Sequence, residues 1–281
     1  MQVQHEQTQE ELVQALQQQV DDLTTANLFL QDQLARKEQF TAMIAHELRG
    51  PLSPIINYAQ MLARHNCTPE STEANATNES PRSNAAIQRQ TSIIVSQARR
   101  LARLVDDLLD ASRLTSGQFT LLHAHCDLVA LVQEVVEQLR PVAPYHTFTL
   151  QLPDGPVTGL WDGGRLQQAL GNLLDNAIKY SDEGTTITVS IRVTQDKVHV
   201  RVHNQGVSIP STEIGSLFRP YARIQATSGA RQGSGLGLYI TKSIIEAHQG
   251  TLRLEPHTDE TPAEERMGTT FTFELPLILP A

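Results

Sequence analysis

Asn172, Asn176, Lys179 and Tyr180 crowd one side of the stretch RLQQALGNLLDNAIKYS, residues 165–181. The opposite side is apolar, with Leu166, Leu170, Leu173, Leu174, Ala177 and Ile178 at helical spacing. Amide oxygens are hard ligands suited to Mg²⁺, a lysine offers a point charge for phosphate, and a tyrosine offers a ring for a base. A second stretch, VHNQGVSIP at 202–210, ends a strand pattern at Gly206, and its Asn204 could hydrogen-bond the edge of a purine. A third, RQGSGLGLYITKSIIEAHQG at 231–250, sets Gly233, Gly235 and Gly237 before an amphipathic helix. Backbone N–H groups at such a helix start can close on a phosphate. It is not a P-loop, because no Lys and Ser/Thr follow the last glycine, and it opens no βαβ dinucleotide unit. Far upstream, His46 lies about 200° round a helical wheel from Ile44, away from an apolar stripe of Phe40, Ile44, Leu48, Ile55, Ala59 and Leu62. Glu47 stands beside it. Taken singly, each feature also reads as an ordinary polar surface; their order along one chain makes them a set.

These residues must be held by elements of several kinds. Residues 8–40 lack Pro and Gly and repeat in heptads, with Val13, Val20, Asn27 and Leu34 at position a and Leu16, Leu23 and Leu30 at d. That pattern predicts a parallel two-stranded coiled coil whose register Asn27 fixes. It leads without a breaker into a helix over about 40–64, where Pro51 and Pro54 free the carbonyls of Glu47 and Gly50 and predict a bend. Residues 66–86 are polar and read as a loop. Ile87, Ile94, Leu101 and Leu108 then mark a second helix that Gly117 stops. Two antiparallel helices, doubled in a dimer, make a four-helix bundle. Beyond Cys126 the pattern gives helices at 127–140 and 162–180, and strands at 147–152, 185–193, 197–203, 251–255 and 269–275, with a hairpin at Gln195-Asp196. That mixture predicts an α+β sandwich. The formal net charge of −9 argues against a nucleic-acid partner. Two cysteines without a CxxC spacing, no apolar run near the length of a membrane helix and no signal-peptide pattern point to a soluble chain in the cytoplasm.

HELRGPL, GNLLDNAIKYS, NQGVSIP, LFRPYARI and GSGLGLYI, in this order, resemble the H, N, G1, F and G2 boxes of sensor histidine kinases, over about residues 37–280. The resemblance implies a multidomain chain. A coiled-coil signalling helix would occupy 1–39, an all-α dimerisation and histidine phosphotransfer hairpin 40–117, and an α+β ATP-binding domain of the Bergerat (GHKL) type 122–281. It implies a homodimeric protein-histidine kinase that uses ATP and Mg²⁺, phosphorylates His46, and passes the phosphoryl group to an Asp of a response regulator. Glu47 would be the base or orienter of His46. Asn176, with Asn172, would hold Mg²⁺; Lys179 would meet phosphate and Tyr180 the adenine. Asn204 and Gly206 would belong to the base site. Gly233, Gly235, Gly237 and Leu238 would border the phosphates under a lid at about 225–232, and Arg223 would aid nucleotide or interdomain contacts.

Three departures bear on activity. The G1 box usually carries an Asp where this chain has Asn204, and a Gly where it has Ser208, which predicts weakened ATP affinity. Gly50 replaces the Thr or Asn often linked to dephosphorylating the regulator, so a phosphatase is not expected. The loop at 66–86 is longer than usual. A catalytically weak dimeric adaptor or phosphotransfer scaffold is the main alternative, and a related GHKL ATPase the other.

Overall fold

The computed structural model describes residues 2–66, 80–220, 222, 235–255 and 268–277. A single helix, α1, runs from Gln2 to Asn66, so the heptad segment and the His46 helix are continuous. Its hydrogen-bonded path passes through Pro51 and Pro54. Helix α2 runs from Ser80 to Thr115, starting well before the expected loop ends. Pro81 explains the early start: near a first helical position its missing N–H costs nothing and its fixed φ suits the helix. Ala85 and Ala86 then carry the helix forward. The helix ends in a Schellman motif. Gly117 sits at φ +69°, with Gln118 N donating to Arg113 O at 2.9 Å and Gly117 N to Leu114 O at 3.3 Å.

Strand β1 (Ala124–Asp127), helix α3 (Leu128–Leu139), strands β2 (Thr147–Gln151) and β3 (Thr158–Trp161) and helix α4 (Gly163–Tyr180) follow. Then come β4 (Thr186–Val193), β5 (Lys197–Asn204), α5 (Ser211–Leu217), α6 (Gly237–Ala247), β6 (Thr251–Leu254) and β7 (Thr269–Pro276). Five strands make one sheet in the order β2-β4-β5-β7-β6, in which only β2 and β4 run parallel. The period-two pattern of TITVSIRV and KVHVRVHN sets the register, pairing Val189 with Val202 and Val200 with Phe273. Ile187, Val189, Val198, Val200, Val202, Phe273 and Leu275 bury their side chains in one core with Leu166, Leu170, Leu173 and Leu174 of α4 and Ile240 and Ile244 of α6. Arg201, Glu255 and Thr272 make a polar network on the sheet, with Arg201 Nε donating to Glu255 Oε2 at 2.8 Å.

β1 and β3 form a separate antiparallel pair that the sequence pattern does not announce. Each has four residues, and neither AHCD nor TGLW shows the apolar alternation that marks the equally short TLRL of β6. Asp127 anchors the pair by accepting from the backbone N–H of Val129 and Val157 at 3.0 and 3.1 Å. Trp161 is fully buried and donates its indole N–H to Pro276 O at 3.1 Å. The chain divides into two compact units, residues 1–101 and 102–281, so α2 contributes to both.

Candidate functional site

In the first unit, His46 is exposed on α1. Glu47 is not beside it in solvent as the wheel suggested, but buried, with 7% of its surface accessible. Successive helical residues point about 100° apart, so the two face different ways. The inner stripe of α1 runs through Ile44, Glu47, Leu48, Pro51, Pro54, Ile55, Tyr58 and Leu62, while Ala59 is exposed. Ile44, Leu48, Ile55 and Leu62 lie on it as expected; the apolar count missed Glu47, Pro51, Pro54 and Tyr58 and wrongly included Ala59, and the side chain of Phe40 lies outside the described residues. Gly50 is exposed, and a Cβ built there meets nothing within 4 Å, so packing does not require a glycine at this place.

In the second unit, α4 positions the amide cluster. Asp162 caps it by accepting from Arg165 N at 3.1 Å through Oδ1, and its Oδ2 accepts from Leu122 N at 2.8 Å. The backbone N–H of Asp162 donates to His248 Nε2 at 2.9 Å, tying the cap to the end of α6. With Leu166, Leu170, Leu173, Leu174 and Ala177 buried and Ile178 partly so, α4 leaves Asn172, Asn176, Lys179 and Tyr180 half-buried on another side. Asn172 Nδ2 donates to Gly237 O at 3.3 Å, and Thr241 Oγ1 donates to the same carbonyl at 2.8 Å. The Asn172 bond ties the start of α6 to α4 and commits the nitrogen of Asn172, not its oxygen, while the Thr241 bond lies within α6. Gly235 stands at φ +68°, a conformation that favours glycine, and α6 begins at Gly237 with no side-chain cap. An uncapped helix start offers N–H donors to an anion. Leu238 is half-buried and packs against the core. Lys179 Nζ lies 4.9 Å from the centre of the Tyr180 ring, a cation over an aromatic face.

At the far end of α4, Gly206 pairs with Ser181 in an isolated bridge. A Cβ at Gly206 would strike the carbonyl of Tyr180, so only glycine allows this approach. Asn204, 3% exposed, closes β5 beside it, and its Nδ2 has no hydrogen-bond partner among the described residues. Behind it, Gly268 (φ +131°) could not carry a Cβ without striking the Asn204 carbonyl. The hydroxyl of Ser208 donates to Gly268 O at 3.2 Å, so Ser208 serves to pin this corner. Ser181, Gly268, Thr241, Asp162 and His248 were not singled out from sequence. Asp162 alone carried a signal, a capping residue just before an apolar helical period. Arg223, Gly233 and the lid at 225–232 lie outside the described residues.

The end of α2 also packs on α4. Asp110, buried, accepts from Arg165 Nη1 and Gln168 Nε2, each at 2.7 Å. Burial, reinforced by the nearby carboxylate of Asp110, raises the Asp107 carboxyl to about 6. Burial raises Asp175 too, opposed by Arg103, whose Nη1 lies 3.4 Å from its Oδ2. That pair is exposed and contributes little.

The orphaned amide of Asn204, the glycine-only approach at Gly206 and the uncapped start of α6 fit a nucleotide with its base at one end of α4 and its phosphates toward Gly237. The model of the "His Kinase A (phospho-acceptor) domain" matches residues 36–117, and that of the "Histidine kinase-, DNA gyrase B-, and HSP90-like ATPase" matches 161–279. The probable sensor histidine kinase TcrY of Mycobacterium tuberculosis is 32% identical over 240 residues, covering 85% of this chain and 46% of that one. The adaptive-response sensory kinase SasA of Gloeothece citriformis is 32% identical over 252 residues, covering 88% and 60%. The chain thus spans about half the length of the curated relatives it matches. The solved histidine kinase AdeS of Acinetobacter baumannii shares the fold, with a TM-score of 0.57, 23% identity, and coverage of 83% of this chain and 98% of that one.

Proposed function

The chain carries the transmitter core of a sensor histidine kinase, and from that premise we propose that it is an ATP-dependent kinase that phosphorylates its own His46. The phosphoryl group then passes to an aspartate of a response regulator. The observation that carries this reading is an exposed histidine on α1 in the same chain as an unpaired buried amide and an uncapped helix start. ATP supplies the γ-phosphoryl group, and Mg²⁺ neutralises charge on the triphosphate. Asn176 and Asn172 would hold the cation through their amide oxygens, the start of α6 would receive phosphate, and Lys179 would swing from the Tyr180 ring toward the anion. The imidazole attacks the γ-phosphorus, an N–P bond forms, and the bond to the ADP oxygen breaks. Of the two roles implied for Glu47, its burial on the inner face favours that of orienter over base.

Leu16, Val20, Leu23, Leu30 and Leu34 are all exposed in the single chain, which favours a homodimer through the heptad seam. Among the described residues no helix is long and apolar enough to cross a membrane. A receiver-domain partner and a place in the cytoplasm follow from the kinase reading. The second reading, a phosphotransfer scaffold that binds no nucleotide, draws on Asn204 standing where the family carries an acid.

Calorimetry separates the two. Mg·ATP should bind the full chain, and Asn176→Ala should weaken it by about tenfold or more, the loss of one good ligand. No binding of Mg·ATP at millimolar concentration would leave the scaffold.

A further inference from the structure

We infer that the base end of this site takes 6-oxopurine nucleotides as well as 6-aminopurine ones, an inference that rests on the nucleotide-binding reading above. A buried amide nitrogen without a partner costs free energy in an isolated chain, and such groups are rare unless something else satisfies them. Asn204 Nδ2 is of this kind, in a residue 3% exposed. Its backbone is held on both sides, since Asn204 pairs with Ile187 across to β4 and with Thr269 across to β7. Gly268 packs against its carbonyl. Asn172 meets the start of α6 eight residues before Tyr180, and Gly206 meets the Tyr180 carbonyl. Those two points are separated by about 12 Å along α4. The helix start is the anion end, so the amide at the other end faces the base.

A carboxylate at this place would accept only. It would take a hydrogen bond from the amino group at position 6 of adenine, and it would repel the carbonyl oxygen that hypoxanthine and guanine present there. Repulsion of this kind is how a site rejects a near-isostere. An amide both donates and accepts. With its oxygen toward the adenine amino group, its nitrogen donates to ring nitrogen N1. Turned over, it donates to the oxygen at position 6 and accepts from the N1–H of a 6-oxopurine. Asn204 therefore removes the element that would exclude the oxo form and carries no charge that forces one choice.

The test is calorimetric titration of the full chain with Mg·ATP, Mg·ITP and Mg·GTP. The inosine nucleotide carries the 6-oxo edge without the 2-amino group of guanine. The better of the two 6-oxopurine nucleotides should bind within about tenfold of ATP. In Asn204→Asp the affinity of that nucleotide relative to ATP should fall by about a hundredfold. ATP binding with both 6-oxopurine nucleotides more than about tenfold weaker overturns the inference and leaves the kinase reading intact. Absence of binding by all three overturns both. If Asn204→Asp fails to fold, judged by circular dichroism, the ratio in the unmodified chain decides alone.

Discussion

Both ring nitrogens of His248 are committed in the buried end of α6. Nδ1 lies 2.8 Å from the Ile244 carbonyl and so carries the proton, while Nε2 accepts from the Asp162 backbone at 2.9 Å. Burial lowers its pKa from the usual 6.5, the nearby His123 ring lowers it further, and the Ile244 bond and Asp162 oppose them. Because the folded state binds the proton less readily than the unfolded chain, the stabilisation is complete above the unfolded value and is lost as pH falls through the folded one. Thermal unfolding should therefore show the chain losing stability from about pH 6.5 downward. His248→Gln should be less stable at pH 7.5 and should lose part of that acid slope. An unchanged slope would mean that His248 does not titrate on unfolding. At this scale the candidate residues were legible by their chemical type. Asn172, Asn176, Lys179, Tyr180, Asn204, Gly206, Gly235 and Gly237 are types whose chemistry shows in the letter code; the structure sets the first four on one side of α4, Gly237 against Asn172 near its middle, and Asn204 and Gly206 by its C-terminal end. Glu47 was misread because a carboxylate on an inner stripe depends on what packs there. Leu238, half-buried near the start of α6, packs its side chain against the core.

Helix α2 begins as an element of one unit and ends as an element of the other. Its last turns are fastened to α4 by Asp110, whose Oδ2 takes bonds from Arg165 and Gln168, and the Arg165 guanidinium also lies 4.9 Å over the Phe119 ring. Arg165 and Asp110 keep 24% and 7% of their side-chain surface, so removing the carboxylate leaves a mostly buried cation with poorer company. Asp110→Ala should destabilise residues 102–281 by about 2–3 kcal/mol in urea unfolding, and Asp110→Asn by less. A change below about 0.5 kcal/mol for the alanine variant would show that this junction does not hold α2 to α4. Helical and strand periods of ten and eight residues were legible because each residue adds to the same count. The short strands Ala124–Asp127 and Thr158–Trp161 lack the apolar alternation that made the equally short Thr251–Leu254 legible, and the Asp110–Arg165 contact joins positions that no local pattern links.

For the whole molecule, the central claim is that a histidine in one compact unit is the target of a nucleotide site in the other. Order along the chain made this legible: His46 had no distinction until the Asn-, Gly- and Lys-bearing stretches more than a hundred residues downstream were read with it. Phosphoryl transfer needs positioning above all. Incubation of the full chain with γ-labelled ATP and Mg²⁺ tests the claim directly. Label should appear on the protein, be released by mild acid as a phosphoramidate is, and be absent from His46→Gln. Label that persists in His46→Gln, or that resists mild acid as a phosphoester does, would contradict it.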